Sequence, residues 1–506
     1  MFENLLPTRL LPSIVLLFWA ASGVAHAATF TVTNTNDGGA GSLRNAILSA
    51  NAASGNLHSI VFDVPAGSTI NVLSELPSID KPGISIGSVA GPRVLINAQN
   101  NSPLLQIGAD NLLFTLNNVG LFSGRRVGGG GCLLAGPASG NASIFLNDVA
   151  MFTCVGLRNE LFRSAQGGAM LVFGRSINIS DSVFVGNGFG NPSNLEFNVA
   201  GGAIALLADS SKSLVSDGAL FELNFAQGGT AGNVPAALGG AIYVGGGARL
   251  SVNRTSFNEN FAGAGSQAAP GDARGGAIYA EGNALIENSL FFQGGSPRGV
   301  LTVESSDRSR TLEVRNTSFW EVDAFNGSAV TSNLAMVTLR NTSFAKTEGG
   351  SSQGSEVRVE AVPGQLAPSV LRLSNALFIR AQQGPVASCS VGSSVNVETS
   401  FTLSDRAAPG CGISVSPTPL RLDWFESRPR QFGGWIKLLP DSPAIDAGNP
   451  QAPNLADWRT CTISDARGVL RPIDATGLGS ASVCDIGAVE HDRIRLFASG
   501  FETPLQ

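Results

Sequence analysis

The sequence predicts an all-β protein: a single right-handed parallel β-helix with a short N-terminal helical cap and a loop-rich C-terminal cap. A recurring glycine phrase is the first ground for this: Gly167-Gly168-Ala169-Met170, Gly201-Gly202-Ala203-Ile204, Gly239-Gly240-Ala241-Ile242 and Gly275-Gly276-Ala277-Ile278. A second phrase, Phe-x-x-Asn, alternates with it from Phe184 to Asn187, Phe221 to Asn224 and Phe257 to Asn260. Self-similarity at a period of a few tens of residues marks a solenoid. The third ground is composition. Only 14% of the 506 residues are charged, and there are 62 Gly and 28 Phe against 2 Tyr, which suits strands that stack on their own kind.

Residues 1–27 read as a secretory signal. Arg9 gives a thin positive region, Ile14 to Ala20 an apolar run and Ala25-His26-Ala27 a small-x-small cleavage site. That run is too short to span a bilayer, and no later one reaches spanning length. The mature chain is expected to start near Ala28 and to be secreted or held on the outer surface. Residues 28–56 form an N-terminal strand and capping helix. Thr29 to Asn34 alternate like a strand, and Ser42 is placed to N-cap a helix whose Leu43, Ala46, Ile47 and Ala50 share one face. Such a helix would cover strand edges that otherwise invite pairing with other chains.

Residues 57–430 are expected to form the β-helix. Its repeat unit is a strand with alternating apolar positions that closes on Phe, as in Ile177 to Phe184 and Leu250 to Phe257. Successive Phe (Phe122, Phe152, Phe184, Phe221, Phe257, Phe291, Phe319, Phe344, Phe378 and Phe401) lie 23 to 37 residues apart. Coils stacked about 4.8 Å apart would set Phe on Phe inside and Asn on Asn at a corner, with the paired Gly at a corner of positive φ. The Asn-x-Ser/Thr triplets at Asn141, Asn178, Asn253, Asn316 and Asn341 read as corner residues rather than glycan acceptors. Insertions over 188–199, 228–237 and 263–273 mark the side where a ligand would be sought.

Six cysteines fall in three pairs 22, 22 and 23 residues apart: Cys132 with Cys154, Cys389 with Cys411, and Cys461 with Cys484. Sequential disulfides are expected among the fifteen connectivities that six cysteines allow. No C-x-x-C or Cys/His cluster points to a metal. The net charge of −6 argues against nucleic acid as the partner.

Several stretches resemble known families. Thr29 to Thr33 followed by Gly41-Ser42-Leu43-Arg44-Asn45-Ala46-Ile47 looks like the Cys-Ser-Leu-Arg-Glu-Ala motif of exported bacterial β-helix proteins, with Gly41 for the Cys and Asn45 for the Glu. The Gly-Gly-Ala-Ile and Phe-x-x-Asn phrases resemble those of polymorphic outer-membrane proteins, which are adhesive. Residues 431–492, through Asp441-Ser442-Pro443-Ala444-Ile445-Asp446-Ala447-Gly448, Asp465-Ala466-Arg467-Gly468 and Cys484-Asp485-Ile486-Gly487, resemble the C-terminal module of choice-of-anchor β-helix proteins. In that segment Asp446 and Asp485 are expected to pair with Arg467 and Arg471 and pin the cap, with calcium at the same carboxylates as the alternative. The tail, 493–506, resembles a short sorting sequence of exported Gram-negative proteins.

No catalytic or cofactor-binding residue is predicted. Mature residues include only His58 and His491, far apart in the chain, so a Ser-His-Asp set is not expected. Gly83-Ile84-Ser85-Ile86-Gly87 matches a nucleophile elbow, but no helix pattern follows it. The expected role is therefore an exported adhesive or structural protein contacting a surface polysaccharide or a host or neighbouring cell. The alternative is a polysaccharide lyase or glycoside hydrolase of the pectate-lyase-like fold, with Asp181, Asp217, Glu259 and Glu287 as carboxylates that could converge.

Overall fold

The structure, a computed structural model, describes residues 27–491 except 109–111, 138–140, 158–163, 190–197, 229–236, 264–271, 308, 323–327, 346–354, 361–367, 380–386, 407–410, 424–434 and 474–482. Most of the signal and the whole tail lie outside the described residues, as do the tips of the three insertions.

The chain forms a right-handed parallel β-helix of three long sheets. Sheet I has thirteen strands, from Thr29–Val32 to Val395–Ser400. Sheet III has thirteen, from Thr69–Asn71 to Ser414–Val415, and sheet II has ten, from Leu105–Ile107 to Ala387–Val391. Each lap visits I, then III, then II. Between the strands of sheets III and II, short side strands such as Phe225–Gln227 and Ala237–Leu238 bulge outward as a small lobe. Its interior is filled by Ala165, Phe189, Val199, Ala226, Ala237, Ala262 and Ala273, and the three insertions leave from it. Helix α1 (Leu43–Ala52) packs on the first two strands of sheet I. The Ser42 hydroxyl accepts the Asn45 amide at 3.2 Å, and Leu43, Ala46, Ile47 and Ala50 are all buried.

Inside, seven phenylalanines stack in one column: Phe184, Phe221, Phe257, Phe291, Phe319, Phe344 and Phe378. Their centroids are 4.7 to 5.2 Å apart and their planes within 9° of parallel. Three of the expected members are absent from it. Phe122 and Phe152 stack on each other at 4.9 Å, but on the outer face. The register pairs Leu121 with Met151 and Met151 with Phe184, so Leu121 and Met151 hold the inner positions. A displacement of one residue along a strand reverses the face. Phe401 sits at a corner with φ near +50° and is 43% exposed, while Ser404 pairs with Phe378.

A second column is polar and buried. The Oδ1 of Asn224 accepts both the side-chain amide (2.9 Å) and the backbone N–H (3.1 Å) of Asn187. Asn224 donates in the same way to Asn260, and to the carbonyl of Phe184 at 2.9 Å. One lap before Asn187 the same position is Cys154, whose N–H reaches Asn187 Oδ1 at 2.9 Å. The ladder therefore begins at the Cys132–Cys154 disulfide. Cys389–Cys411 and Cys461–Cys484 are also bonded, with Cα separations of 5.6, 6.1 and 6.6 Å for the three pairs in chain order.

The corners explain the repeat's small and polar residues. At the turn from sheet I to sheet III the chain goes left-handed at Asn118, Asp148, Asp181, Asn288, Asn316, Asn341 and Asn375, residues that tolerate this region. In the Gly-Gly phrase only the first glycine has positive φ, at Gly167, Gly201, Gly239 and Gly275. The second needs glycine for another reason: a Cβ on Gly168, Gly202 or Gly240 would overlap the carbonyl oxygen of its counterpart one lap on. Of the Asn-x-Ser/Thr triplets, Asn316 and Asn341 are buried and hydrogen-bonded to the C-terminal cap.

Asn224→Ala strands the amides of Asn187 and the Oδ1 of Asn260 in the interior. It should cost about 1–3 kcal/mol per unsatisfied group and lower the thermal midpoint read by circular dichroism. Asn224→Asp should not restore it, because a carboxylate accepts but cannot donate to Phe184 and Asn260.

Candidate functional site

The widest cleft lies on the outer face of sheet II, at its turn into sheet I, with a volume near 540 Å³. Strand alternation builds its floor. Ile242–Gly245, Ile278–Ala280 and Leu301–Val303 point Tyr243, Tyr279 and Thr302 outward in register. Glu281 and Glu304 follow the last residues of the second and third of these strands. The two tyrosines, the only ones in the chain, stack at 5.9 Å and 12°. One wall is a break in the repeat. Seven residues, 304–310, join strands whose counterparts in neighbouring laps are joined by three, at 246–248, 281–283 and 333–335. Asp307 shapes this longer turn by accepting the N–H and hydroxyl of Ser309 at 3.0 and 2.8 Å. Asn333 steadies its base by accepting the Ser305 N–H at 2.9 Å.

Charges in the cleft are paired. Arg274 makes two bonds to Asp272, at 2.8 and 2.7 Å, and one to Glu304. Burial alone would lower the pKa of Arg274, but the two carboxylates raise it overall. Glu281 accepts the Tyr243 hydroxyl at 3.1 Å and the Gly246 N–H at 2.9 Å, and Arg310 pairs with Asp307 at 2.9 Å. Burial, with the nearby glutamates, pushes both tyrosine hydroxyls well above their ordinary value, so both stay neutral hydrogen-bonding groups. A smaller cleft near 400 Å³ lies at the exit of sheet III between Glu259, Phe261, Gln293 and Glu321.

The carboxylates singled out in the sequence do not converge. Asp217 holds Arg254 through two 2.8 Å bonds, and Glu287 pairs with Arg315 at 2.9 Å, both along the corner of sheets I and III where Asp181 also lies. Glu259 lines the smaller cleft on a different corner. His58 accepts the Ala28 N–H in the first lap, and His491 is buried in the C-terminal segment. Ser85 lies on a two-residue strand of sheet I and bonds to Ser59. Among the described residues no cluster of three His, Cys, Asp or Glu is arranged to hold a metal ion, and no helix is long and apolar enough to cross a membrane.

The C-terminal cap folds back along the flank of the last laps. Its Leu438, Ala444 and Ile486 pack on Trp320, Ala345, Leu377 and Ile379. Hydrogen bonds tie it to the corner asparagines: Thr462 N–H to Asn341 Oδ1, Asn449 N–H to Asn375 Oδ1, and Asn316 to the Ser464 carbonyl, all at 2.8–2.9 Å. Arg340, fully buried in sheet I, donates to the carbonyls of Asn454, Thr460 and Cys461 at 2.5, 2.7 and 2.6 Å. Burial pulls its pKa below the ordinary arginine value, yet it remains charged at neutral pH.

The acidic partners in the cap differ from those expected. Arg467 pairs with Asp465 through two bonds of 2.8 and 2.7 Å, and Arg471 with Glu490. Asp446 and Asp485 instead meet each other: the Asp485 carboxylate accepts the N–H of Asp446 at 2.8 Å and that of His491. Arg471 touches Asp485 only at its backbone carbonyl, at 3.3 Å. Asp465 is two residues from Arg467, so a tight turn brings the pair together with no long-range fold.

No protein-family model matches the chain, and no curated protein matches it. The class therefore rests on the fold: a disulfide-bonded parallel β-helix with a folded-back cap and a charged cleft.

Arg340→Met should strand at least three buried carbonyls of 454–461 and loosen the cap by about 3 kcal/mol. Limited proteolysis should then cut within 436–491 while the strands of sheet I stay protected. A pH effect is also expected. Burial, and the charge of Glu490, push the Asp485 carboxyl well above its ordinary range. Its folded pKa exceeds the unfolded one, so its contribution to stability is full at acidic pH and is lost as pH rises through the raised value. The cap should accordingly become more protease-sensitive in mildly alkaline buffer, and Asp485→Asn should flatten that dependence.

Proposed function

We propose that the protein is an exported, non-catalytic adhesin that presents the sheet II cleft from a rigid rod on the outer surface of a Gram-negative cell. The observation that carries this reading is the state of the cleft: its carboxylates and arginines are held in fixed mutual bonds around an open space. Such groups offer a preorganised polar surface for recognition. A general acid or base, by contrast, needs a carboxylate free to exchange a proton with substrate. Export is supported by the Ala25-His26-Ala27 sequence and by three disulfides, which persist in oxidising compartments. The resemblance of 431–492 to the choice-of-anchor module supports a surface role, with the cap serving the rod's outer end. The partner is a surface polysaccharide or the surface of a host or neighbouring cell.

A second reading has one observation in its favour. Glu281, Glu304 and Asp307 gather beside Arg274 and Arg310, the residue types a polysaccharide lyase or hydrolase uses. The two are separated by a release assay on acidic and neutral polysaccharides, with and without calcium. No new reducing ends should appear, and a product with an unsaturated end would replace the adhesive reading. Antibody labelling of intact cells should detect the full-length protein at the surface. A variant lacking residues 1–27 should stay inside the cell and carry titratable thiols.

A further inference from the structure

We infer that the ligand of the sheet II cleft is a neutral, hydroxyl-rich oligosaccharide lying along the rod axis; this rests on the adhesive reading and names its ligand. The shape sets the direction. Gly246, Glu281, Glu304 and Asn333 come from four successive laps, so the lining extends roughly 14 Å along the axis at about 4.8 Å per lap. Its volume near 540 Å³ lies within the range of about 300–1,000 Å³ usual for small-ligand sites. The longer turn at 304–310 closes one side, and the glycines at 246 and 247 keep the other low. Gly247 has φ near +82°, and a Cβ there would stand 3.4 Å from the Arg310 guanidinium, so a side chain would crowd the wall.

Charge selects the chemistry. The lining holds Glu281, Glu304 and Asp307 against Arg274 and Arg310, and Asp272 adds a further carboxylate to Arg274. An anionic sugar would meet an excess of negative charge with both arginines already neutralised. A cationic ligand would have to displace an arginine or a tyrosine hydroxyl from each carboxylate. Sugar hydroxyls do neither. Each donates to a carboxylate lone pair still open and accepts from an arginine N–H still open, since a carboxylate has about four acceptor sites and a guanidinium five donors. Asn333 and the hydroxyls of Ser305 and Ser306 add neutral polar groups on the same surface.

The experiment is calorimetric titration of the full mature chain with cellohexaose, laminarihexaose, maltohexaose and hexagalacturonate, at low and high salt. At least one neutral hexasaccharide should bind, with an affinity that salt leaves nearly unchanged. Ser306→Trp, at an exposed position on the wall, should abolish it by filling the cleft without disturbing the fold. Arg310→Ala should weaken it by about tenfold, the effect of losing one charge-assisted hydrogen bond. Binding confined to hexagalacturonate, binding of a neutral sugar that both variants leave intact, or no binding of any neutral sugar would each overturn the inference. None of these outcomes bears on surface location, which the antibody labelling reads separately.

Discussion

In a parallel coil every residue meets its counterpart one lap away at strand-to-strand distance, and that single constraint shapes this molecule. Side chains that pair well with themselves are retained in columns, and the columns then hold the laps in register. Aromatic rings do it by offset stacking, worth about 0.5–1.5 kcal/mol per pair beyond the area they bury. Asparagine does it because an amide both donates and accepts, so Asn187, Asn224 and Asn260 satisfy one another with no water in the interior. A charged residue has no such partner in itself, which is why the long charged side chains of the rod lie on its outer faces or at its corners, in pairs of opposite sign. The conspicuous exceptions are Arg175 and Arg340, both fully buried. Each spends its donors on main-chain carbonyls, Arg175 on Gly108 and Gly136 and Arg340 on the cap.

The same constraint makes the ends and interruptions of a column informative. The Asn ladder starts where Cys154 stands in for Asn and a disulfide replaces the amide chain. It finishes at Asn260, because Gly294 takes the position in the next lap, and the smaller cleft opens there. On sheet II, strict repetition gives way at 304–310, and the larger cleft forms against that turn. Both recesses thus arise where the chain stops copying itself, as a solenoid must if a local site is to differ from its neighbours.

The folded-back cap draws on the corners in another way. Asn316, Asn341 and Asn375 occupy left-handed positions that leave their amides directed toward the flank, and the cap supplies matching backbone groups. An open row of corner amides is converted into a buried polar interface. Apolar contacts from Trp320 to Ile486 close it from the other side.

Much of this architecture was legible beforehand because a solenoid writes its fold into local repetition. The glycine phrase, the Phe-x-x-Asn phrase, the capping helix from Ser42 and the cysteine spacing each depend on residues close in sequence, or on a period that can be counted. Where the reading failed, the cause was register. Phe122 and Phe152 match the spacing but sit one residue out of phase with Phe184, and periodicity of tens of residues cannot resolve a shift of one. The acidic partners of Arg467 and Arg471 and the sheet II cleft were not read. The lone pair of tyrosines at one repeat position and the longer link at 304–310 were the available signals, but neither says which faces converge. Sequence by itself determined that this chain winds into a parallel coil with like stacked on like, since that follows from local alternation and period. Only the tertiary structure decided which face each column occupies, which carboxylate meets which arginine and where the coil leaves an open cleft, because those depend on the phase between laps and on contacts between distant residues.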